Sequence, residues 1–307
     1  MAERNKKGGA SPTAGGIAKK PLLVLSGQYQ NGKSTFLNCL LGGSYAVEGS
    51  GLTTTRYNAK YVFGDFREGK VIAENGGVRN LPAGKGFFSA ADTIRDMKKS
   101  DLLQISAYSP ILMGMDILDS PGCGADSQDN AVAEKAISLA DFVIYILQKT
   151  LDNEEDISFL KNLTEQGKHF TVILNCRNEA DPNSEQASAM CREIMARIKN
   201  EKLESNYVAL QKDKPVYPVN LLWAQCGLGY PEEAEFRKKW NKLKIYLEDE
   251  SITPLALLAR SNFLPIRTLL SSFVSAFFSY APTSRLSLMS AIAENWTSEL
   301  VSIFEKE

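Results

Sequence analysis

The sequence predicts an α/β fold built on a doubly wound, mostly parallel sheet flanked by helices. Short runs that are apolar throughout alternate with stretches of helical periodicity. A strand whose residues are all apolar is buried on both faces, as happens when helices cover both sides of a parallel sheet. The first such run also leads directly into a glycine-rich turn and a helix, the order that a phosphate-binding loop requires.

The elements follow in order. The run "PLLVLSG" (21–27) is the first strand, and a helix starts at Gly32. Next come "MDILDSPG" (115–122), "DFVIYILQ" (141–148) and "FTVILN" (170–175), each followed by a helix, and "PVYPVNL" (215–221) is the last strand. Two segments interrupt this rhythm and read as insertions at the sheet edge. Residues 57–110 are expected to hold strands near 57–63 and 102–108 with a short helix near 88–99, and residues 226–250 to hold the charged helix "PEEAEFRKKWNKLKIYLEDE". Residues 21–280 then form one domain, closed by "FLPIRTLLSSFVSAFFSY" (263–280). That run contains Arg267 and several serines and falls short of the about 20 apolar residues of a membrane span, so it reads as a buried amphipathic helix. Residues 281–307 form a C-terminal helical extension. Pro282-Thr283 suits a helix start, and Leu286, Met289, Ile292, Ala293, Trp296, Leu300, Ile303 and Phe304 follow at helical spacing, a face for a helical bundle or a protein partner.

Composition excludes several classes. Lys and Arg total 35 against 36 Asp and Glu, so no global charge draws the chain to nucleic acid. The five cysteines, Cys39, Cys123, Cys176, Cys191 and Cys226, are odd in number and form no CxxC pair, which argues against a disulfide framework and a zinc site and for a reducing cytoplasm. Residues 1–20, rich in Gly, Ala and Lys, lack the apolar segment of a signal peptide and read as a flexible basic tail.

The chemistry concentrates in three places. Gly27-Gln28-Tyr29-Gln30-Asn31-Gly32-Lys33-Ser34 fits GxxxxGK[ST] between a strand and a helix, followed by Thr35. Its backbone amides wrap phosphates at a helix N-terminus, Lys33 reaches the β- and γ-phosphates, and the Ser34 hydroxyl ligates Mg²⁺. The fold is thus expected to be that of a P-loop NTPase; the competing reading is a chance Gly-rich turn. Asp119-Ser-Pro-Gly122 fits DxxG, with Asp119 holding Mg²⁺ through water and the Gly122 amide facing the γ-phosphate. A plain Pro-Gly turn competes there. Between the two lies "EGSGLTTTRY", whose Thr53, Thr54 or Thr55 would give a further hydroxyl to Mg²⁺ unless the run is simply a β-prone edge.

With these motifs in order, residues 21–280 resemble the dynamin-type GTPases, more closely their bacterial dynamin-like branch. "SGQYQNGKSTFLNCLLG" is similar to that family's phosphate loop and helix, "GSGLTT" to its first switch, "YSPILMGMDILDSPG" to the approach to its second, and "VYPVNLLWAQ" with "SNFLPIRTLLSSF" to its last strand and closing helix. The resemblance implies that the Mg²⁺ threonine is Thr54, 21 residues after Lys33. It implies GTP hydrolysis in which water is oriented by backbone groups, the switch threonine and the phosphate loop, since Cys123 stands where other GTPases carry a glutamine. It further implies help from a monovalent cation, K⁺ or Na⁺, and from transient homodimerisation across the nucleotide faces. Gln30 matches the phosphate-loop residue that takes part in this, if it is not merely solvated, and Gly49 and Gly51 would supply carbonyls to the cation. The catalytic set implied is Gln30, Lys33, Thr54 and Gly122.

The base-reading element is degenerate. Where the family carries Asn-Lys-x-Asp this chain has Asn175-Cys176-Arg177-Asn178. Asn175 keeps its role in tying base to phosphate loop. Cys176 cannot stack as a lysine stem does, and Asn178 offers one acceptor where guanine presents two donors, a mismatch that costs about 1–3 kcal/mol. Arg177 is a candidate to cover the ring, Glu179 or Asp181 to supply a carboxylate if the loop is shifted, and Asn220 to lie near the base. GTP or GDP is the expected ligand. The alternatives are a nucleotide-dependent switch with little hydrolysis and relaxed guanine specificity, and a P-loop kinase or ATPase. No long stalk or membrane tip is expected within 307 residues.

Overall fold

In the computed structural model, residues 20–46, 57–64, 68–81, 97–98, 100–121, 127–177, 180–229, 233–247, 249 and 251–279 are described. The strands among them are β1 (Leu22–Ser26), β2 (Asn58–Phe63), β3 (Gly69–Ile72), β4 (Val78–Leu81), β5 (Leu102–Ala107), β6 (Asp116–Asp119), β7 (Phe142–Leu147), β8 (His169–Asn175) and β9 (Tyr217–Val219). They form one sheet in the order β4-β3-β5-β2-β6-β1-β7-β8-β9.

The half from β6 to β9 is parallel, with Leu25 level with Asp119 on one side and Ile144 on the other. β1 and β7 are almost wholly apolar, and β8 largely so, because alternate residues enter two different cores. Leu22, Val24, Val143, Tyr145 and Leu147 face one core, which α3 (Ser127–Leu139), α4 (Glu154–Glu165) and α5 (Glu185–Asn200) complete. Leu23, Leu25, Ile144 and Ile146 face the other. That side is covered by α1 (Lys33–Leu41), α2 (Ile111–Gly114), α6 (Leu221–Leu228), α8 (Pro254–Arg260) and α9 (Phe263–Ser279). Helix α7 (Glu233–Leu247) joins Trp223, Cys226, Ile252 and Leu257 in a smaller cluster through Leu243.

The doubly wound α/β sheet agrees with the expectation, and its edge is richer than the apolar runs indicate. β2 runs antiparallel to β6, and β5 lies parallel to β2, so the insertion reverses the sheet direction. β3 and β4 form a hairpin that the periodicity did not indicate. Its turn is Ala73 to Gly77, where the Ala73 and Gly77 backbones bond and the Asn75 side chain accepts from the Gly77 amide at 3.0 Å. The last strand covers only Tyr217–Val219, because Asn220 already caps α6. Helix α8 was also not anticipated, although Thr253 caps it and Pro254 occupies its first turn. Most of the expected helix near 88–99 and the whole extension after Ser279 lie outside the described residues. No helix among the described residues is long and apolar enough to cross a membrane.

Candidate nucleotide-binding site

In an open α/β sheet, ligands bind beyond the carboxyl ends of the strands, where the strand order switches. Here β1 lies between β6 and β7, and the chain returns from it into α1. The phosphate loop after β1 therefore faces the ends of β6 at Asp119, β7 at Leu147 and β8 at Asn175.

The loop is held by its neighbours. The Asn31 side chain donates to the Ile146 carbonyl at 2.8 Å, and Gln148 Nε2 donates to the Gln30 carbonyl at 2.8 Å. Gln30 itself is exposed and adopts a left-handed φ of 64°. Gly32 caps α1 in the left-handed region, and a Cβ there would lie 2.6 Å from Asn175 Nδ2, so glycine is the residue that fits. The N-terminus of α1 carries no side-chain cap bond and no acid in its first turn, which leaves its positive end directed at the loop.

Lys33 is only 7% exposed, and its ammonium donates to the carbonyls of Gly27 and Gln28, each at 3.0 Å. Ser34 Oγ donates to Asp119 Oδ2 at 3.2 Å, which joins the phosphate loop to the end of β6; Asp119 is 1% exposed. Ser120 closes the corner, its hydroxyl donating to the Leu25 carbonyl at 2.9 Å. Tyr29 is exposed, and Gln28 and Thr35 are partly buried. Thr54, Gly122 and Asn178, with Thr53, Thr55, Gly49, Gly51, Cys123 and Glu179, lie outside the described residues.

At the base end, Asn175 Nδ2 donates to the Asn31 carbonyl at 3.0 Å, while its Oδ1 accepts from the Leu221 amide at 3.3 Å. One side chain thus joins the phosphate loop, β8 and the start of α6. Arg177 is exposed. Cys176 turns into the core that α5 covers, and burial pushes its thiol up to about 12. The structure places Asn220 behind the loop. It is fully buried, its Oδ1 accepts from the Trp223 amide at 3.0 Å, and its Nδ2 donates to the Ala180 carbonyl at 3.0 Å.

Asp181 is likewise committed. Its Oδ2 lies 2.8 Å from the Arg260 guanidinium and its Oδ1 accepts from the Asn183 amide at 2.8 Å. Partial burial, the largest single influence, works to raise its carboxyl, and the Arg260 and Asn183 contacts outweigh it to hold the group below the usual carboxylate range. Asp181 therefore fastens the loop to α8 and is not turned toward a base. Asn183 adds to this clasp, donating to the Arg260 carbonyl at 3.1 Å and accepting from Asn262 at 2.9 Å. The sequence reading missed the clasp because its two halves lie 79 residues apart.

The thiols give a direct check. Burial raises Cys176 and Cys226 to about 12 and Cys191 to about 11. At pH 8 roughly one molecule in a thousand or fewer carries a thiolate at any of these sites. Iodoacetamide at pH 8 is expected to leave all three unmodified on the timescale that alkylates a free thiol, read by peptide mass mapping; rapid labelling of Cys176 would show that the base loop opens.

No family model matches the chain. Over 90 residues it is 34% identical to the GTPase Der of Nautilia profundicola, which covers 28% of this chain and 19% of that protein. Over 158 residues it is 27% identical to the probable transmembrane GTPase FZO-like, chloroplastic, of Arabidopsis thaliana, covering 50% of this chain and 15% of that one. The alignments thus span less than a fifth of either curated relative. A solved structure described as an oligomerised bacterial dynamin pair, with a mechanism for long-range sensing and tethering of membranes, superposes with a TM-score of 0.51 and 16% identity. It covers 94% of this chain, which spans 46% of that one. With the phosphate loop, Asp119 and Asn175 gathered at the carboxyl ends of its parallel strands, the chain has the fold of a dynamin-like GTPase G domain, an α/β P-loop NTPase.

Proposed function

We propose that this chain binds GTP and hydrolyses its γ-phosphate in a Mg²⁺-dependent reaction. The observation that carries the reading is the approach of Ser34 Oγ and Asp119 Oδ2, 3.2 Å apart at the mouth of the phosphate loop. A hydroxyl and a buried carboxylate side by side are hard oxygen donors of the kind Mg²⁺ takes when phosphates and water complete its shell. Ser34 and Asp119, with Thr54, would hold that ion, which neutralises charge on the phosphate oxygens. Lys33 would exchange the Gly27 and Gln28 carbonyls for phosphate oxygens. The loop amides and the α1 dipole stabilise charge that grows on the transferred group. The attacking water is oriented by backbone groups, Thr54, Gly122 and Gln30, aided by K⁺ or Na⁺ and by a second copy docked across the nucleotide face.

The relatives named as GTPases favour guanine over adenine. A second reading, a nucleotide switch with slow hydrolysis and relaxed base choice, is favoured by Cys176. Its buried thiol cannot cover a base as a lysine stem would, and the 281–307 segment would then pass the bound state to a protein partner.

Equilibrium titration with GTP, XTP and ATP, on the wild type and on Asn178→Asp, tests the base. GTP is expected to bind at least about tenfold more tightly than ATP, and Asn178→Asp to widen that gap. Tighter binding of ATP would sink the guanine reading. Phosphate release per molecule that climbs with protein concentration supports the dimer-activated enzyme, whereas tight binding without turnover supports the switch.

A further inference from the structure

Asn220 performs two tasks with one side chain. Its Oδ1 caps α6 by accepting from the Trp223 amide, and its Nδ2 donates to the Ala180 carbonyl at 3.0 Å, across 40 residues of chain. The residue is fully buried, and its backbone is fastened as well. Its amide donates to the Ser261 carbonyl at 3.0 Å, and its carbonyl accepts from the Ala224 amide at 3.0 Å. Asn220 is thus held at backbone and side chain alike.

The cap alone does not call for asparagine. Serine or aspartate caps a helix about as well, because the task needs only an acceptor oxygen. Asparagine adds an amide donor, and here that donor is directed at Ala180. Ala180 lies at the far end of the loop that begins at Cys176, and the near end is bound to the same place. The Cys176 amide donates to the Val219 carbonyl at 2.7 Å. Between them the Ala180 amide donates to the Arg177 carbonyl at 2.9 Å, which ties the ends of the 177–180 stretch together. Both legs of the loop therefore rest on two consecutive residues, Val219 and Asn220, where β9 passes into α6. The Asp181–Arg260 pair beyond Ala180 is half in water and so holds less firmly than an amide anchored in the interior.

We infer that Asn220 is a positioning residue for base selection: acting through the Ala180 carbonyl rather than on the base, it fixes the second leg of the 176–180 loop against the first. The effect on base choice rests on the GTP reading above; the strut to Ala180 does not. Asn220→Ser keeps an oxygen for the cap and removes the donor. Ala180 is exposed, so water can take the donor's place and the loop is released while the helix stays capped. The GTP-to-ATP affinity ratio is expected to fall about fivefold, the size of one neutral hydrogen bond. Affinity for inorganic triphosphate, which engages the phosphate loop without a base, should change by less than about twofold. In the unliganded protein, backbone amide exchange should speed at residues 176–183 and stay as in the wild type at 27–33. Asn220→Asp keeps the size of the side chain and the cap but sets an acceptor against the Ala180 carbonyl, and should show the same split if the serine variant folds poorly. Asn220→Ala loses cap and strut together and should add a fall in thermal midpoint that Asn220→Ser lacks. Parallel losses of GTP and triphosphate affinity in Asn220→Ser, or unchanged exchange at 176–183, overturn the inference. If the wild type shows no preference for GTP over ATP, the functional reading fails, and exchange at 176–183 alone decides whether the strut stands.

Discussion

Replacing Lys33 by alanine is expected to lower nucleotide affinity about a hundredfold while leaving the fold intact. The ammonium is already drawn out of water, enclosed to within 7% and held by two carbonyls. Moving it from neutral carbonyl oxygens to phosphate oxygens replaces two bonds with one charged partner by two in which both partners are charged, and a hydrogen bond to a charged group is worth about 1.5–3 kcal/mol. Losing both corresponds to at least two factors of ten in the dissociation constant. Truncating the side chain removes no residue from either apolar core, so circular dichroism should show an unchanged spectrum. A drop of less than about threefold, by titration with a fluorescent analogue, would mean that this lysine does not reach the phosphates.

The second large effect is on stability. Gly27 has φ +140°, and a Cβ built on it would lie 2.4 Å from the Ile146 carbonyl oxygen. That atom is backbone of a central strand and cannot swing aside like a side chain. Gly27→Ala therefore combines backbone strain of about 1–3 kcal/mol with an overpacking cost of similar size. A loss of about 3 kcal/mol would lower the thermal midpoint by roughly 6–12 °C. Calorimetry on the unliganded protein is the measurement, since bound nucleotide would offset part of the loss by mass action. A midpoint within 2 °C of wild type, roughly the effect of 1 kcal/mol or less, would contradict the packing of the loop against β7.

The parallel half of the sheet was legible because both-face burial writes itself into nearly every residue of β1, β7 and β8. The other half was less so. An apolar run carries no sign of its direction, so the reversal at β2, set by pairing with β6 and β5, could not be read. The β3–β4 hairpin did leave a signal, Asn75-Gly76-Gly77, that a search for periodicity passes over. Thr253-Pro254 was a similar missed signal for α8. In the site, the phosphate loop, Asp119 and Asn175 were readable because each chemistry is confined to a few consecutive residues. The bond that the Tyr145 hydroxyl of β7 donates to Asp156 of α4 was not, since the two meet only through packing. Nor was the commitment of Asp181 to Arg260, which turns a candidate base reader into a fastening. Asn220 illustrates the limit most directly: a polar residue after the last strand reads equally as a ligand contact or a helix cap, and burial assigns it to the cap.

Asn175 has a thermodynamic consequence. Its amide restrains the Asn31 carbonyl and its oxygen restrains the Leu221 amide, so the two ends of the nucleotide site share one fixed side chain. Whatever orders the phosphate loop also lowers the entropy still to be lost around the base, and the reverse holds with the same coupling free energy. On the nucleotide reading proposed above, pyrophosphate and nucleoside would not act as two independent ligands of one pocket. Each would be the other's positive effector, and an intact nucleotide would gain from the link.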